Sequence, residues 1–293
     1  MRRTLALAGA ALAVLLAPAT ASAQQAEDQT IAPDQPVATD RAVLSRGHVD
    51  LGPRRVDGAW ELLVHDDSAT PPVWRPLERT VFQVSDAAVL PVPDDPAYAF
   101  IGAPGTPVHV LPQVQDPDVA WIGWNTQDPR VMDEVDRGVT LTLTGVDGPG
   151  ELFVYLQAGN FAGADVLWDS TEPGRQDIWV DTNTHTHANW VFTAPGVYLV
   201  RVEVHADLVD GSAVSDHATL RFAVGDATGA EPAFAAVAEE PVPGTAPSSP
   251  AEAVAEDAGP GLFVIAGVAG ALAVAVVIVV VRGRAAKRQG GAG

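Results

Sequence analysis

The chain has 293 residues, with 17 Lys and Arg against 37 Asp and Glu and a formal net charge of −20 at pH 7. Residues 24–259 hold 11 of the basic residues and all 37 acidic ones, a net charge of −26, which argues against a nucleic acid as partner. The absence of cysteine excludes disulfides, thiolate metal ligands and cysteine nucleophiles.

The two ends of the chain predict export and membrane anchoring. Residues 1–23 have the pattern of a signal peptide, with two arginines before the apolar run 5–17 and a small-residue cleavage site at 21–23. Residues 262–281 carry no charge and are long enough to cross a bilayer, which predicts one transmembrane helix over 260–281. The basic tail 282–293 is predicted to be cytoplasmic. We therefore expect a single-pass protein of the cell membrane whose N-terminal domain is extracellular.

Composition divides the exported part into three segments. Residues 24–39 predict a flexible leader. Residues 227–259 are rich in Pro, Ala and Glu and contain little that could pack, which predicts a disordered stalk. Residues 40–226 have the length of one domain.

The dominant period within 40–226 is two residues. Val139, Leu141 and Leu143 alternate with threonines, which is typical of a half-buried strand. No segment shows a sustained helical period. The fold class predicted from this pattern is all-β, an antiparallel immunoglobulin-like β-sandwich in which the hydroxyl of Tyr198 anchors the start of a late strand. The predicted strands are 43–50, 60–65, 81–84, 108–111, 120–124, 139–144, 152–156, 198–204 and 220–224.

Two histidines, His185 and His187, have the spacing of same-side neighbours on a strand. Such positions lie about 6.5 to 7 Å apart, so both imidazoles can lean toward one ion. The same spacing also fits an exposed or hydrogen-bonded pair with no ligand. Because tetrahedral zinc needs at least three protein ligands, a metal site requires further residues from another strand.

Few other residues in the sequence are candidates to complete a metal site with His185 and His187. His48 and Asp50 are same-side neighbours in Gly47-His48-Val49-Asp50, and His109 lies in another predicted strand. Asp50 and His109 are alternatives for the fourth ligand. His65 is predicted to be solvent-exposed at a strand end, and two further histidines, His205 and His217, fall on polar strand faces.

Other patterns allow other functions. Trp121 and Trp124 are either a stacking platform for a sugar or a pair of which one fills the core. Acidic pairs such as Asp66-Asp67 are expected in solvated turns, and Asp116-Pro117-Asp118 could bind calcium. No G-x-S-x-G, H-E-x-x-H, P-loop or G-x-G-x-x-G motif is present, which predicts a protein that is not an enzyme.

Four stretches of the sequence are considered together: 47–50, 108–113 leading into 121–126, 145–150, and 185–190 running to 198. In this order they resemble actinobacterial surface-anchored proteins of the choice-of-anchor M domain family. The family's genes accompany ABC transporters of the zinc/manganese type, so the resemblance implies a role in metal acquisition at the cell surface. His48, Asp50, His185 and His187 fall on family motif positions, and His109 departs from the pattern.

Together these observations predict a non-catalytic, membrane-anchored surface protein. It would bind zinc through His48, His185 and His187, with Asp50 or His109 as fourth ligand, and support uptake by a metal ABC transporter or its binding protein. The alternative is an adhesion or interaction module of the cell envelope, with structural histidines and a glycan or protein ligand.

Overall fold

A computed structural model of the chain describes residues 31–158 and 163–238. All of these belong to the first of two contact units, Met1–Glu240. The predicted signal peptide, transmembrane helix and basic tail lie outside the described residues. Within the described ranges, no helix has the length and apolar character needed to cross a membrane.

Strands make up most of the regular structure in the described residues, and every predicted strand overlaps one of them. The strands are β1 (Ala42–Leu44), β2 (Gly47–Val56), β3 (Ala59–Asp66), β4 (Val73–Pro76), β5 (Thr80–Val84), β6 (Val89–Pro91), β7 (Pro107–Leu111), β8 (Ala120–Asn125), β9 (Val135–Asp147), β10 (Leu152–Gln157), β11 (Ala164–Asp169), β12 (Gln176–Asp181), β13 (His185–His187), β14 (Asn189–Phe192), β15 (Gly196–Leu208) and β16 (Ala213–Val224). The helices are α1 (Pro129–Glu134) and α2 (Ala230–Ala235), and short 3-10 turns cover Leu77–Arg79, Asp86–Ala88 and Pro96–Tyr98.

These strands form three sheets. One has the order β1-β5-β16-β15-β9-β12, the second β11-β10-β14-β7-β6 and the third β13-β8-β2-β3-β4. The all-β prediction is confirmed, but the sheets are not purely antiparallel, because β1 with β5, β5 with β16, and β2 with β8 pair in parallel. The parallel pair β2–β8 is the one that matters for the candidate site.

Aromatic rings fill the core between the first two sheets. The ring of Phe222 on β16 lies 4.8 Å from that of Phe192 and 5.9 Å from that of Trp190, both on β14. The third sheet joins the first where the main-chain N–H of Leu62 on β3 donates to Asp216 Oδ2 on β16 at 2.8 Å. The hydroxyl of Tyr198 donates to the carbonyl of Ala194 at 2.8 Å, as the predicted anchor requires.

The packed domain extends beyond the predicted boundaries of 40 and 226. In the predicted leader, Ile31 is buried and Val37 forms a β-bridge with Trp74. In the predicted stalk, α2 packs on the first sheet, where Arg221 donates to the carbonyls of Ala233 and Ala236. Both segments carry apolar residues that the sheets cover, so composition alone placed the boundaries too far inward.

Candidate metal centre

The third sheet brings four predicted ligands to one point. His48 and Asp50 project from the same face of β2, since side chains two apart on a strand share a face. Strand β8 lies between β2 and β13, and its Gly123 pairs with Asp50 on one side and with His187 on the other. His185 pairs with Asn125, the next same-side position of β8. Residues more than 130 positions apart in sequence therefore face one another across a single strand.

The Nε2 atoms of the three histidines form a nearly equilateral triangle. The distance from His48 to His185 is 3.1 Å, from His48 to His187 3.0 Å, and from His185 to His187 3.0 Å. Asp50 completes the group: its Oδ2 lies 3.3 Å from Nε2 of His48 and 3.1 Å from that of His185, and its Oδ1 lies 3.6 Å from that of His187.

These separations match the edges of a coordination tetrahedron. Zinc binds imidazole nitrogen and carboxylate oxygen at about 2.0–2.2 Å, so its tetrahedral ligand atoms stand about 3.3–3.5 Å from one another. The triangle of nitrogens is slightly tighter than this and the carboxylate edges bracket it. The His/Asp group of His48, Asp50, His185 and His187 could therefore hold a metal ion.

Burial of the group is nearly complete. Asp50 is fully buried, and the side chains of His185 and His187 are 6% and 4% exposed. The backbone of Gly123 makes room for them: a Cβ there would lie 2.5 Å from Asp50 Oδ1 and 2.8 Å from Cε1 of His187. A carboxylate removed from water in this way is costly unless a cation or hydrogen bonds compensate it.

Two neighbouring groups orient the ligands. Asn125 Nδ2 donates to Asp50 Oδ2 at 3.1 Å, which leaves Oδ1 without a hydrogen-bond donor among the described residues. Asp67 Oδ2 lies 3.0 Å from Nδ1 of His48, on the side of the ring away from the cluster. A carboxylate behind a ligating histidine fixes the ring and raises its basicity.

Asp67 is itself placed by a buried histidine. Nδ1 of His65 lies 3.4 Å from Asp67 Oδ1, and its Nε2 lies 2.7 Å from Gln35 Oε1. His65 is 1% exposed, so its predicted solvent exposure is wrong: β3 is flanked by β2 and β4 in the third sheet, and Gln35 of the predicted leader contacts the ring. Asp66 and Asp67 were also expected in a solvated turn. Instead Asp66 is buried and Asp67 is mostly buried, and Asp66 Oδ2 lies 2.7 Å from Nε of Arg75.

The carboxylates set the protonation of the cluster. Burial lowers the pKa of His48, but its contacts with Asp50 and Asp67 outweigh burial and raise that pKa to about 9. Burial lowers the pKa of His187 to about 3. Burial favours the neutral form of Asp50, yet hydrogen bonding with His185 and His48 holds its pKa well below the usual value. At neutral pH a proton on His48 thus balances Asp50, and a bound cation would replace that proton.

His109 does not join the group. It lies on β7, in the second sheet, and its Nε2 is 3.2 Å from Asp86 Oδ1. The surface histidines behave as predicted, with side chains 43% exposed at His205 and 71% exposed at His217. A second His/Asp group, formed by Asp50, His65 and Asp67, shares Asp50 with the first. Asp50 Oδ1, the oxygen without a hydrogen bond, lies next to Gly123 on β8, on the side of β2 opposite to β3. We therefore interpret His65 and Asp67 as residues that orient the first group and not as a second metal site.

The remaining candidates take structural positions. Trp121 and Trp124 are both buried, so neither offers a face to a sugar. The acidic turn at 116–118 is held by a hydrogen bond from the N–H of Asp118 to Asp116 Oδ1 and belongs to neither His/Asp group. Sequence reasoning missed Asp67, Asn125 and Gly123 as parts of the site. A glycine inside a strand pattern marks a close approach of other groups and was the one available signal for Gly123.

Comparison of the chain with protein-family models, with curated proteins and with solved structures gave no match. What is established about this site therefore rests on its own geometry: three imidazole nitrogens and one carboxylate, buried together at spacings that fit one metal ion.

Proposed function

We propose that this protein binds one zinc ion through His48, Asp50, His185 and His187 and supports zinc uptake from the cell surface. The observation that carries the proposal is the set of 3.0–3.6 Å separations among the four ligand groups. Three imidazoles and a carboxylate without thiolates suit zinc, whereas calcium and magnesium prefer shells made only of oxygen.

The ligand set favours carriage or storage of the ion over catalysis. Catalytic zinc sites keep one coordination position open for water or substrate, and they use three protein ligands. Here four protein side chains can each supply a ligand atom, and the cluster is nearly buried. The absence of known catalytic motifs supports the same interpretation.

The cellular part of the proposal comes from the ends of the chain and from the family resemblance. The predicted signal peptide and membrane helix would hold the domain outside the cell, and the choice-of-anchor M pattern points to a zinc/manganese-type ABC transporter as partner. An immunoglobulin-like arrangement of the sheets belongs to this proposal, supported by the Tyr198 anchor.

Calorimetric titration tests the binding. The full chain, stripped with a chelator, is expected to bind one equivalent of zinc at pH 7.5. His187→Ala should weaken binding by more than about 100-fold, because losing even a group that only supports a ligand costs 10–100-fold. His217→Ala is the matched control, since that histidine is exposed, and it should bind as the wild type does. Absence of binding by the wild type, or full binding by His187→Ala, would contradict the proposal.

The role in uptake needs a cellular measurement. Cells that lack the protein are expected to accumulate less radioactive zinc at limiting concentration, and the wild-type chain should restore uptake while His187→Ala should not. Equal restoration of uptake by both chains would show that uptake does not depend on the metal site.

A further inference from the structure

The ligand rings of the cluster are not all fixed in the same way. His48 has the carboxylate of Asp67 3.0 Å from its outer nitrogen, at ion-pair distance, although Asp67 Oδ2 makes no hydrogen bond of good geometry. The outer nitrogen of His187, Nδ1, is buried and has no hydrogen-bond partner among the described residues. The main chain of Ile122 is close enough to influence this ring, but it makes no hydrogen bond to Nδ1 within the usual distance and angle limits. A ligating imidazole normally donates this N–H to a partner that sets the ring plane.

A stacked indole covers one face of the His187 ring. The ring of Trp121 is 3.6 Å from that of His187, centroid to centroid, with 9° between the planes. The same indole lies 4.9 Å from the ring of His48, tilted by 39°. Parallel rings in contact restrict rotation of the imidazole about its χ2 bond, because turning it would drive its edge into the indole face.

The indole is itself held in place. Trp121 is 6% exposed, and its Nε1 donates to the carbonyl of Gln113 at 2.9 Å. The main-chain N–H of Gln113 donates to Asn189 Oδ1 at 3.0 Å. Asn189 follows His187 by two residues, so the segment that supplies the ligand also anchors the group that orients it. Hydrogen bonds that do not involve the ligands therefore connect the segment of Trp121 to the segment of His187.

We propose that Trp121 is a positioning residue for the metal ligand His187, and that its stacked indole does for this ring what Asp67 does for His48. The proposal rests on the proposed zinc site. It assigns to the first tryptophan of Trp121-Ile122-Gly123-Trp124 a role in metal affinity in place of sugar stacking or core filling.

Substitution of Trp121 in the full chain tests this. Trp121→Leu keeps an apolar side chain but removes the flat surface, and the Kd for zinc, measured by competition with a chromophoric chelator, is expected to rise about 10- to 100-fold. In the cobalt-substituted protein, the visible absorption bands should shift and weaken because His187 no longer approaches the ion at a fixed angle. Trp168→Phe is the matched control: Trp168 is 1% exposed and its Nε1 also donates to a carbonyl, that of Gln176 at 3.0 Å.

The control separates stability from positioning. Trp168→Phe should lower the melting temperature and leave the zinc Kd and the cobalt spectrum unchanged. Trp121→Phe serves if Trp121→Leu does not fold; it loses the bond to Gln113 and should raise the Kd several-fold. A folded Trp121 variant with the wild-type Kd and cobalt spectrum would overturn the proposal, whereas a wild-type chain that binds no zinc would overturn the proposed function instead.

Discussion

The aromatic core and the metal centre bury their side chains with opposite energetic consequences. Between β16 and β14 the buried groups are rings such as Phe222, which contacts Phe82, Trp190 and Phe192. Taking such apolar surface out of water contributes about 25 cal/mol per Å². Between β2 and β13 the buried groups are imidazoles and the carboxylate of Asp50, whose removal from water costs free energy unless hydrogen bonds or a cation compensate it.

The contrast between the two regions shows which part of the domain would depend on a ligand. The aromatic core needs nothing beyond the chain. The metal centre keeps Asp50 charged through a proton on His48, and a divalent ion would satisfy all four groups at once. The two regions should therefore respond differently to mutation, to chelators and to pH.

The largest effect is expected in the aromatic core. Phe222→Ala should lower the free energy of unfolding by about 3–5 kcal/mol, because it removes a fully buried ring and leaves a cavity. Urea unfolding in the presence of chelator measures this. The zinc Kd of the folded variant should equal that of the wild type, and a Kd changed by more than a few-fold would mean that the two regions are not independent.

Metal removal should destabilise the protein by an amount set by the zinc concentration. With free zinc at 100 times its Kd, the ion adds about 2.7 kcal/mol to the free energy of unfolding. Calorimetric melting should accordingly show a lower Tm with chelator than with zinc in the wild type and in His217→Ala. A chelator effect of the same size in His187→Ala would place the ion elsewhere.

An added methyl group in β8 should damage the metal centre by a smaller amount. In Gly123→Ala the new Cβ would lie 2.6 Å from the carbonyl oxygen of Thr186 and closer still to Asp50 Oδ1. Relief of such overlaps costs about 1–3 kcal/mol, and here it must push the ligands apart. Zinc affinity and Tm are both expected to fall. Gly163→Ala, where the nearest atom is 3.6 Å away and the residue lies before β11, is the control and should change neither.

The smallest expected effect is the change in zinc affinity caused by one pH unit. Zinc must displace the proton from His48, whose pKa is about 9, so the apparent Kd should rise about tenfold for each pH unit below 9. In the metal-free protein, the free energy of unfolding should fall as pH rises. Because folding raises the pKa of His48, protonation of this histidine stabilises the fold fully below the ordinary pKa of about 6.5, and that stabilisation is lost as pH rises through about 9. Titrations between pH 7 and 9 measure the slope, and a flat Kd would show that no such proton is displaced.

Local pattern was enough to predict the strands and some of the ligand pairs. The alternation of Val139, Leu141 and Leu143 is a property of a few neighbouring residues, and all three are buried on β9. The same local rule placed His48 beside Asp50 on one face of β2. Pairing between strands is a different matter, because the parallel contact of β2 with β8 joins segments about 70 residues apart and no spacing in the sequence encodes its register.

His109 illustrates the limit. It was correctly assigned to a strand, but β7 pairs with β14 and β6, in the second sheet. A period of two identifies the face of a strand and carries no information about the sheet that the strand joins. The supporting carboxylate of Asp67 was missed for a related reason: two adjacent acids after a strand resemble a solvated turn, and only the pairing of β3 with β2 brings them beside His48.

Strand β13 is three residues long and, within residues 31–158 and 163–238, pairs on one side only, with β8. It supplies two of the four ligands, while β2, which supplies the other two, is held between β8 and β3. Detachment of this one short edge would therefore withdraw both imidazoles in a single motion and leave His48 and Asp50 in place. Loss of the few main-chain hydrogen bonds between β13 and β8 would thus open the cluster, and the aromatic core need not open with it.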